Sequence, residues 1–214
     1  MLWEKLGCQE GKSVLFPSWE DLPENGFRQS AVLALLCGEA PDLRVLLIRR
    51  PMHLNRHAGE IAFPGGKREP EDRGPLETAL REAREELGLD PKRVRPCRLL
   101  EKVFAHSSDF EIHPVLALLG SREAPYPFVD RNEVDEVFLP LAGEFFQPHR
   151  LEWARHGKID FLFPVFDLWL DTGSGVRLPG FYGSWDASWN PSWRRLHAAD
   201  RAARFHIRRF PQGG

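Results

Sequence analysis

Residues 59–90 read GEIAFPGGKREPEDRGPLETALREAREELGLD, and their pattern decides the fold. From Pro75 onward, Leu76, Ala79, Leu80, Ala83 and Leu87 recur at helical spacing. At about 100° per residue they form one apolar stripe of an α-helix. Pro75 suits its first turn and Gly88 the position just past its end. Proline gives up a donor that the first turn does not use, and glycine accepts the left-handed backbone of a helix stop. Glu82, Glu85 and Glu86 stand at i, i+3 and i+4, so they share a different side of the same helix. Before the helix, Phe63-Pro64-Gly65-Gly66 supplies two glycines that admit positive φ and let a ligand approach the backbone.

Three carboxylates on one side of a short helix have two readings. They form a solvated face, with Arg81 pairing to Glu85 four residues on for a few tenths of a kcal/mol. Alternatively they gather around a cation, because clustered carboxylates otherwise repel one another. Hard divalent ions such as magnesium prefer such oxygen ligands and bridge readily to phosphate. On the helix alone the solvated face is the favoured reading; the adjoining glycines, together with the pattern the whole stretch follows, turn it to the cation.

The stretch closely resembles the Nudix box, the signature of hydrolases that cleave a nucleoside diphosphate linked to another group. That pattern runs Gly, five residues, an acidic residue, then Arg-Glu-apolar-x-Glu-Glu-x-Gly-apolar. Gly66 is followed after five residues by Asp72, and residues 81–89 match every specified position of the second half. Asp72 replaces the usual Glu, and one extra residue separates it from Arg81. The extra residue also occurs in the coenzyme A pyrophosphatase branch. Upstream, Leu46-Leu47, His57, Gly59 and Phe63-Pro64-Gly65-Gly66 resemble an element of that branch. Ile48 stands in place of its threonine, and its key arginine falls on Asn55, with Arg56 beside it.

The resemblance implies an α/β fold, the Nudix α/β/α sandwich with a mixed sheet, whose box helix lines the active site. It implies Glu82, Glu85 and Glu86 as catalytic metal ligands, for Mg2+ by default or Mn2+. An acidic residue further along often assists the metal, and Glu133 fits best, with Glu136 second; both also read as solvent-facing strand residues. Arg81 is expected to orient the carboxylates, since a guanidinium pairs with a carboxylate in a fixed fork. Gly65 and Gly66 are expected to admit the substrate, and Lys67, Arg68 and Arg56 to hold its phosphates by charge-assisted bonds. The expected reaction is hydrolysis of a pyrophosphate bond, in coenzyme A or a derivative, to phosphopantetheine and adenosine bisphosphate. ADP-ribose or an oxidised nucleoside triphosphate is the alternative substrate. A ligand sensor without activity is disfavoured because all three box glutamates are present.

The 214 residues fit one domain with extensions. A hydrophobic share of 42% and a charged share of 28% are those of an ordinary globular protein. With 29 basic and 31 acidic residues the net charge is −2, so no overall field points to nucleic acid or membrane. No apolar run is long enough to span a bilayer, and the first residues do not read as a secretory signal. Cys8, Cys37 and Cys97 show no paired spacing and read as reduced thiols of a cytoplasmic protein. A small nucleotide-derived substrate is the expected partner, with a homo-oligomer left open.

Residues 1–28 read as an N-terminal extension with a helical turn or two, and residues 29–214 as a single domain. Residues 30–37 and 43–49 are short apolar runs split by turn residues, and read as two strands of a hairpin. Residues 60–63, 94–104, 110–119 and 133–138 read as further strands, and Pro140 opens a helix to about residue 146. Residues 151–154 and 159–170 read as the last strands, before a segment rich in Trp and Arg with a helix over 193–204. Arginines beside tryptophans can make a nucleic-acid surface. More often such a segment packs on its own domain, so no nucleic acid is expected.

Overall fold

A computed structural model of the chain describes residues 14–39, 41–54, 57–105, 109–120 and 129–145, with side chains described up to residue 143. Backbone strands are also described within 150–208. The central sheet is built on β1 (Arg28–Cys37), which runs parallel to β8 (Phe110–Leu119) from Arg28↔Phe110 to Cys37↔Leu119. Both strands are apolar on both faces, as a covered parallel pair requires. β2 (Arg44–Val45) and β5 (Gly65–Lys67) pair antiparallel with β1. β6 (Arg95–Leu99) and β7 (Val103–Ala105) pair antiparallel with β8, so the sheet is mixed. β3 (Leu47–Arg49) stands between β4 (Ile61–Ala62) and β9 (Glu136–Phe138) in a second, smaller sheet.

The expected helix is α1 (Pro75–Leu87), the one α-helix among the described residues. Gly88 ends it at φ 64°, with its N–H donated to Arg84 O at 2.8 Å. Ala79, Ala83 and Leu87 are fully buried against Leu33, Leu35, Val115 and Ala117, and form the core between helix and sheet. Leu76 and Leu80 pack at its margin, less deeply than a uniform stripe implies.

Several elements differ from expectation. The run 43–49 is not one hairpin arm. Leu46 still donates its N–H to Leu35 O, but residues 47–49 leave for the second sheet. Residues 94–104 form two strands rather than one. Glu133 sits in a turn before β9, where its N–H and that of Val134 both close on Asp130 O. After Pro140 there is a 3-10 turn, Ala142–Phe145, in place of the expected helix. Cys97 is disulfide-bonded rather than reduced. Cys37 is free, and burial pushes its thiol up to about 12.

Within residues 14–27 the chain packs on the rest of the fold. Trp19 opens a 3-10 turn capped by Ser18, donates its backbone N–H to Arg73 O and is only 4% exposed. Asn25 donates to Glu111, a buried carboxylate that Lys102 Nζ and His113 Nε2 each approach to 2.9 Å. Burial pushes Glu111 up, but these partners outweigh it and hold the carboxyl below its usual range.

β10 (Arg150–His156) and β11 (Ile159–Val165) form an antiparallel hairpin, in line with the strands read there. The helix expected over 193–204 lies outside the described residues, as do Asn55 and Arg56. Among the described residues no helix is long and apolar enough to cross a membrane.

Candidate active site

α1 presents its charged side to β5 and to the turn before β9. Oxygens of Glu82, Glu86 and Glu133 lie within 4.8 Å of one another. Glu86 is on the buried side of the helix with Ala83 and Leu87, and is 1% exposed. Gly65 donates its N–H to Glu86 Oε2 at 3.1 Å. Glu86 Oε1 is buried without a hydrogen-bond partner, and Arg50 Nη1 lies 4.0 Å away, too far to donate to it. Arg50 Nε is likewise buried and unpartnered.

A buried charge without full compensation is costly, and the proton equilibria show it. Burial, then the negative charge of Glu82, raises Glu86 to about 8, with Glu133 adding to the effect. The Gly65 N–H and Arg50 act in the opposite direction without restoring the usual value. Burial also raises Glu82, against the opposing influence of Arg81.

Arg81 orients this group through a fork. Its Nε and Nη2 donate to Asp72 Oδ1 and Oδ2 at 3.1 and 3.0 Å, and Nη2 also donates to Lys67 O at 3.0 Å. Its Nη1 lies 3.1 Å from Glu82 Oε1 and 3.0 Å from Glu85 Oε2. Asp72 is buried, and it also accepts the Glu69 N–H and the Thr78 hydroxyl at 2.9 Å each. Burial alone would raise Asp72, but Arg81 and these two donors hold it below the usual carboxylate range. The acidic residue that opens the box is thus the anchor of Arg81.

The expected site residues are not all brought together. Gly65 and Gly66 meet the cluster, and a Cβ on Gly66 would collide with the Glu82 carboxylate. Glu133 joins Glu82 and Glu86, whereas the Glu85 side chain is 50% exposed, pairs with Arg81 and stands outside the group of three. Glu136 is held by Arg49 instead. Lys67 is exposed and offers its backbone carbonyl to Arg81. Arg68 lies with its guanidinium 5.6 Å from the Trp19 ring centre, beside the N-terminal arm rather than the carboxylates. Arg56 cannot be placed, being outside the described residues. Arg50 and Asp72 lie at the cluster but were not among the expected site residues. Arg50 directly follows β3 within the upstream element and Asp72 occupies a box position, and those were the available signals.

The donor set fits a divalent cation. It consists of hard carboxylate oxygens, and Glu86 Oε1 is buried with no proton donor of its own. A strand, glycine turn and helix that bring carboxylates together in this way define a candidate metal-binding site. Comparison with known proteins gives the family: the NUDIX domain profile matches residues 27–162, and the chain belongs to the Nudix family. Over 125 residues it is 39% identical to the Nudix hydrolase NudL of Pectobacterium atrosepticum, covering 58% of this chain and 62% of that one. Over 111 residues it is 38% identical to the mitochondrial Nudix hydrolase 15 of Arabidopsis thaliana, covering 52% of this chain and 39% of that one. The chain thus spans less than two thirds of the length of either relative. Among solved structures, the Nudix hydrolase RenU of M. smegmatis aligns with 60% of this chain and 80% of its own at 20% identity and TM-score 0.43.

Proposed function

We propose that the protein hydrolyses the pyrophosphate bond of a nucleoside diphosphate derivative, with coenzyme A or its acylated or oxidised forms as substrate. The products would be phosphopantetheine and adenosine bisphosphate. The observation that carries the hydrolase reading is the convergence of Glu82, Glu86 and Glu133 beside the glycine turn. Coenzyme A is favoured by the resemblance of residues 46–66 to the upstream element and by the extra residue in the box.

Glu82, Glu86 and Glu133 would hold Mg2+ or Mn2+. A cation bound there neutralises phosphate oxygens and makes bound water more acidic. The protein's own groups supply the rest. Arg81, fixed by Asp72, turns Glu82 towards the site. The Gly65 N–H fixes one oxygen of Glu86 and leaves the other unpartnered. The absence of side chains lets Gly65 lie against β1 and leaves room at Gly66 for the Glu82 carboxylate to reach the cluster. Arg50, whose Nη1 lies 4.0 Å from Glu86 Oε1, is the cation positioned to meet a phosphate oxygen.

Incubating the protein and Mg2+ with coenzyme A, ADP-ribose, dinucleotides and oxidised nucleoside triphosphates, with products separated by chromatography, tests the substrate. Coenzyme A should be cleaved with the highest kcat/KM. The coenzyme A reading fails if it ranks among the poorest of the set. Cleavage of ADP-ribose or a triphosphate in its place would keep the hydrolase and change the substrate.

A further inference from the structure

Glu133 differs from the other two members of the cluster. Glu82 is held by Arg81, and Glu86 by the Gly65 N–H. Glu133 is exposed, and no hydrogen bond or ion pair holds its carboxylate among the described residues. Its place beside Glu82 and Glu86 is therefore set through its backbone.

That backbone is tied down on both sides. Before Glu133, Asp130 donates its N–H to the carbonyl of Glu86 at 2.9 Å. After it, Asp135 donates its N–H to the carbonyl of Arg49 at 2.8 Å. The Arg49 side chain then returns to the same segment. Its Nε donates to Asp135 Oδ2 at 2.9 Å, and its Nη2 lies 2.8 Å from both Asp135 Oδ2 and Glu136 Oε2. Arg50, the residue after β3, lies 4.0 Å from Glu86, while Arg49 grips the segment that carries Glu133.

We propose that Arg49 is a positioning residue: it pins residues 135–136 to β3, so that Glu133 is presented to the Glu82–Glu86 pair as a third cation ligand. This rests on the reading of the carboxylate cluster as a cation site. Exposed ion pairs contribute little to global stability. The effect of this one is local, because it decides where a neighbouring ligand stands. Groups that orient metal ligands typically contribute about 10–100-fold to metal affinity.

The test is Mn2+ binding to the full chain, followed by the electron paramagnetic resonance signal of the free ion. The variants are Arg49→Met, Arg49→Lys, Asp135→Asn, Glu133→Gln, the Arg49→Met/Glu133→Gln double variant, and Glu86→Gln as a control. Arg49→Met and Asp135→Asn should each weaken Mn2+ binding about tenfold or more, with the metal-free Tm nearly unchanged. In the Glu133→Gln background Arg49→Met should add nothing, because the ligand it positions has gone. Arg49→Lys, which keeps one bond of the fork, should recover part of the affinity. The proposal is overturned if Arg49→Met leaves Mn2+ affinity unchanged. It is equally overturned if the Arg49 and Glu133 losses add. If Glu86→Gln also leaves Mn2+ affinity intact, the cation site itself falls; if only the Arg49 variants are silent, the site stands and the positioning role does not.

Discussion

Glu86→Gln separates the cost of the site from its use. In the metal-free protein the Glu86 carboxyl ionises only near pH 8, against an ordinary value of 4.5. Below about 4.5 the folded and unfolded chains are both protonated there, and the residue does not influence stability. Between 4.5 and 8 the folded chain keeps a proton that the unfolded chain has lost, so stability falls as pH rises. Above 8 the full penalty is present. At about 1.4 kcal/mol per pKa unit, the displacement sets an upper bound of about 5 kcal/mol. The substituted glutamine cannot ionise and escapes this penalty, while its amide oxygen still accepts the Gly65 N–H. The metal-free variant should therefore match the wild type near pH 4.5 and exceed it increasingly up to pH 8. The gain is about 2–4 °C in Tm for each kcal/mol recovered. With Mg2+ at 100 times its Kd the wild type should regain about 2.7 kcal/mol, so the difference at about pH 8 should shrink by roughly half or more. Thermal melts from about pH 4.5 to 8.5, with chelator and with Mg2+, decide it. A metal-free difference that stays flat with pH, or a wild type that is the more stable at about pH 8 without metal, would refute the reasoning.

The two glycines should part company. On Gly66→Ala the atoms nearest the new methyl belong to the Glu82 carboxylate, the end of a side chain, so Tm should hold while turnover drops sharply as Glu82 is displaced. On Gly65→Ala the methyl meets the Ala31 carbonyl and Val32 Cα of β1, so folding should lose about 1–3 kcal/mol or more in a denaturant titration. Leu87→Ala, at a fully buried position, should cost about 2–5 kcal/mol. Leu80→Ala, at the core margin, should cost measurably less in the same titration.

What the sequence made legible was local. The helical period and its Pro and Gly ends are properties of neighbouring residues, and α1 lies where they place it. The apolar runs of β1 and β8 were visible for the same reason. Their parallel pairing was not, because no nearby residue announces which strands become neighbours. The break at Leu46 was hidden likewise: residues 45–48 are all apolar, and only the competing partners β1 and β9 divide them. In the site, the box spacing brought out the glutamates but not their ranking. Glu85 shares their helical side, yet only Glu82 and Glu86 meet the segment carrying Glu133. Arg49 and Asp135 are 86 residues apart, so nothing local marks them as a pair. Arg68 looked like a phosphate ligand by its nearness to the glycines, but it follows the strand away and meets Trp19.

On this account the Glu82–Glu86–Glu133 cluster holds the cation that pyrophosphate cleavage requires. The most direct test is the initial rate of cleavage of the best diphosphate substrate as Mg2+ is titrated into chelator-treated protein, for the wild type and Glu86→Gln in parallel. The wild type should be silent without metal and rise to saturation, and the variant should fall at least about a hundredfold short, equivalent to about 2.7 kcal/mol of barrier. Turnover that survives the chelator, or a Glu86→Gln protein that matches the wild type at limiting Mg2+, would contradict it.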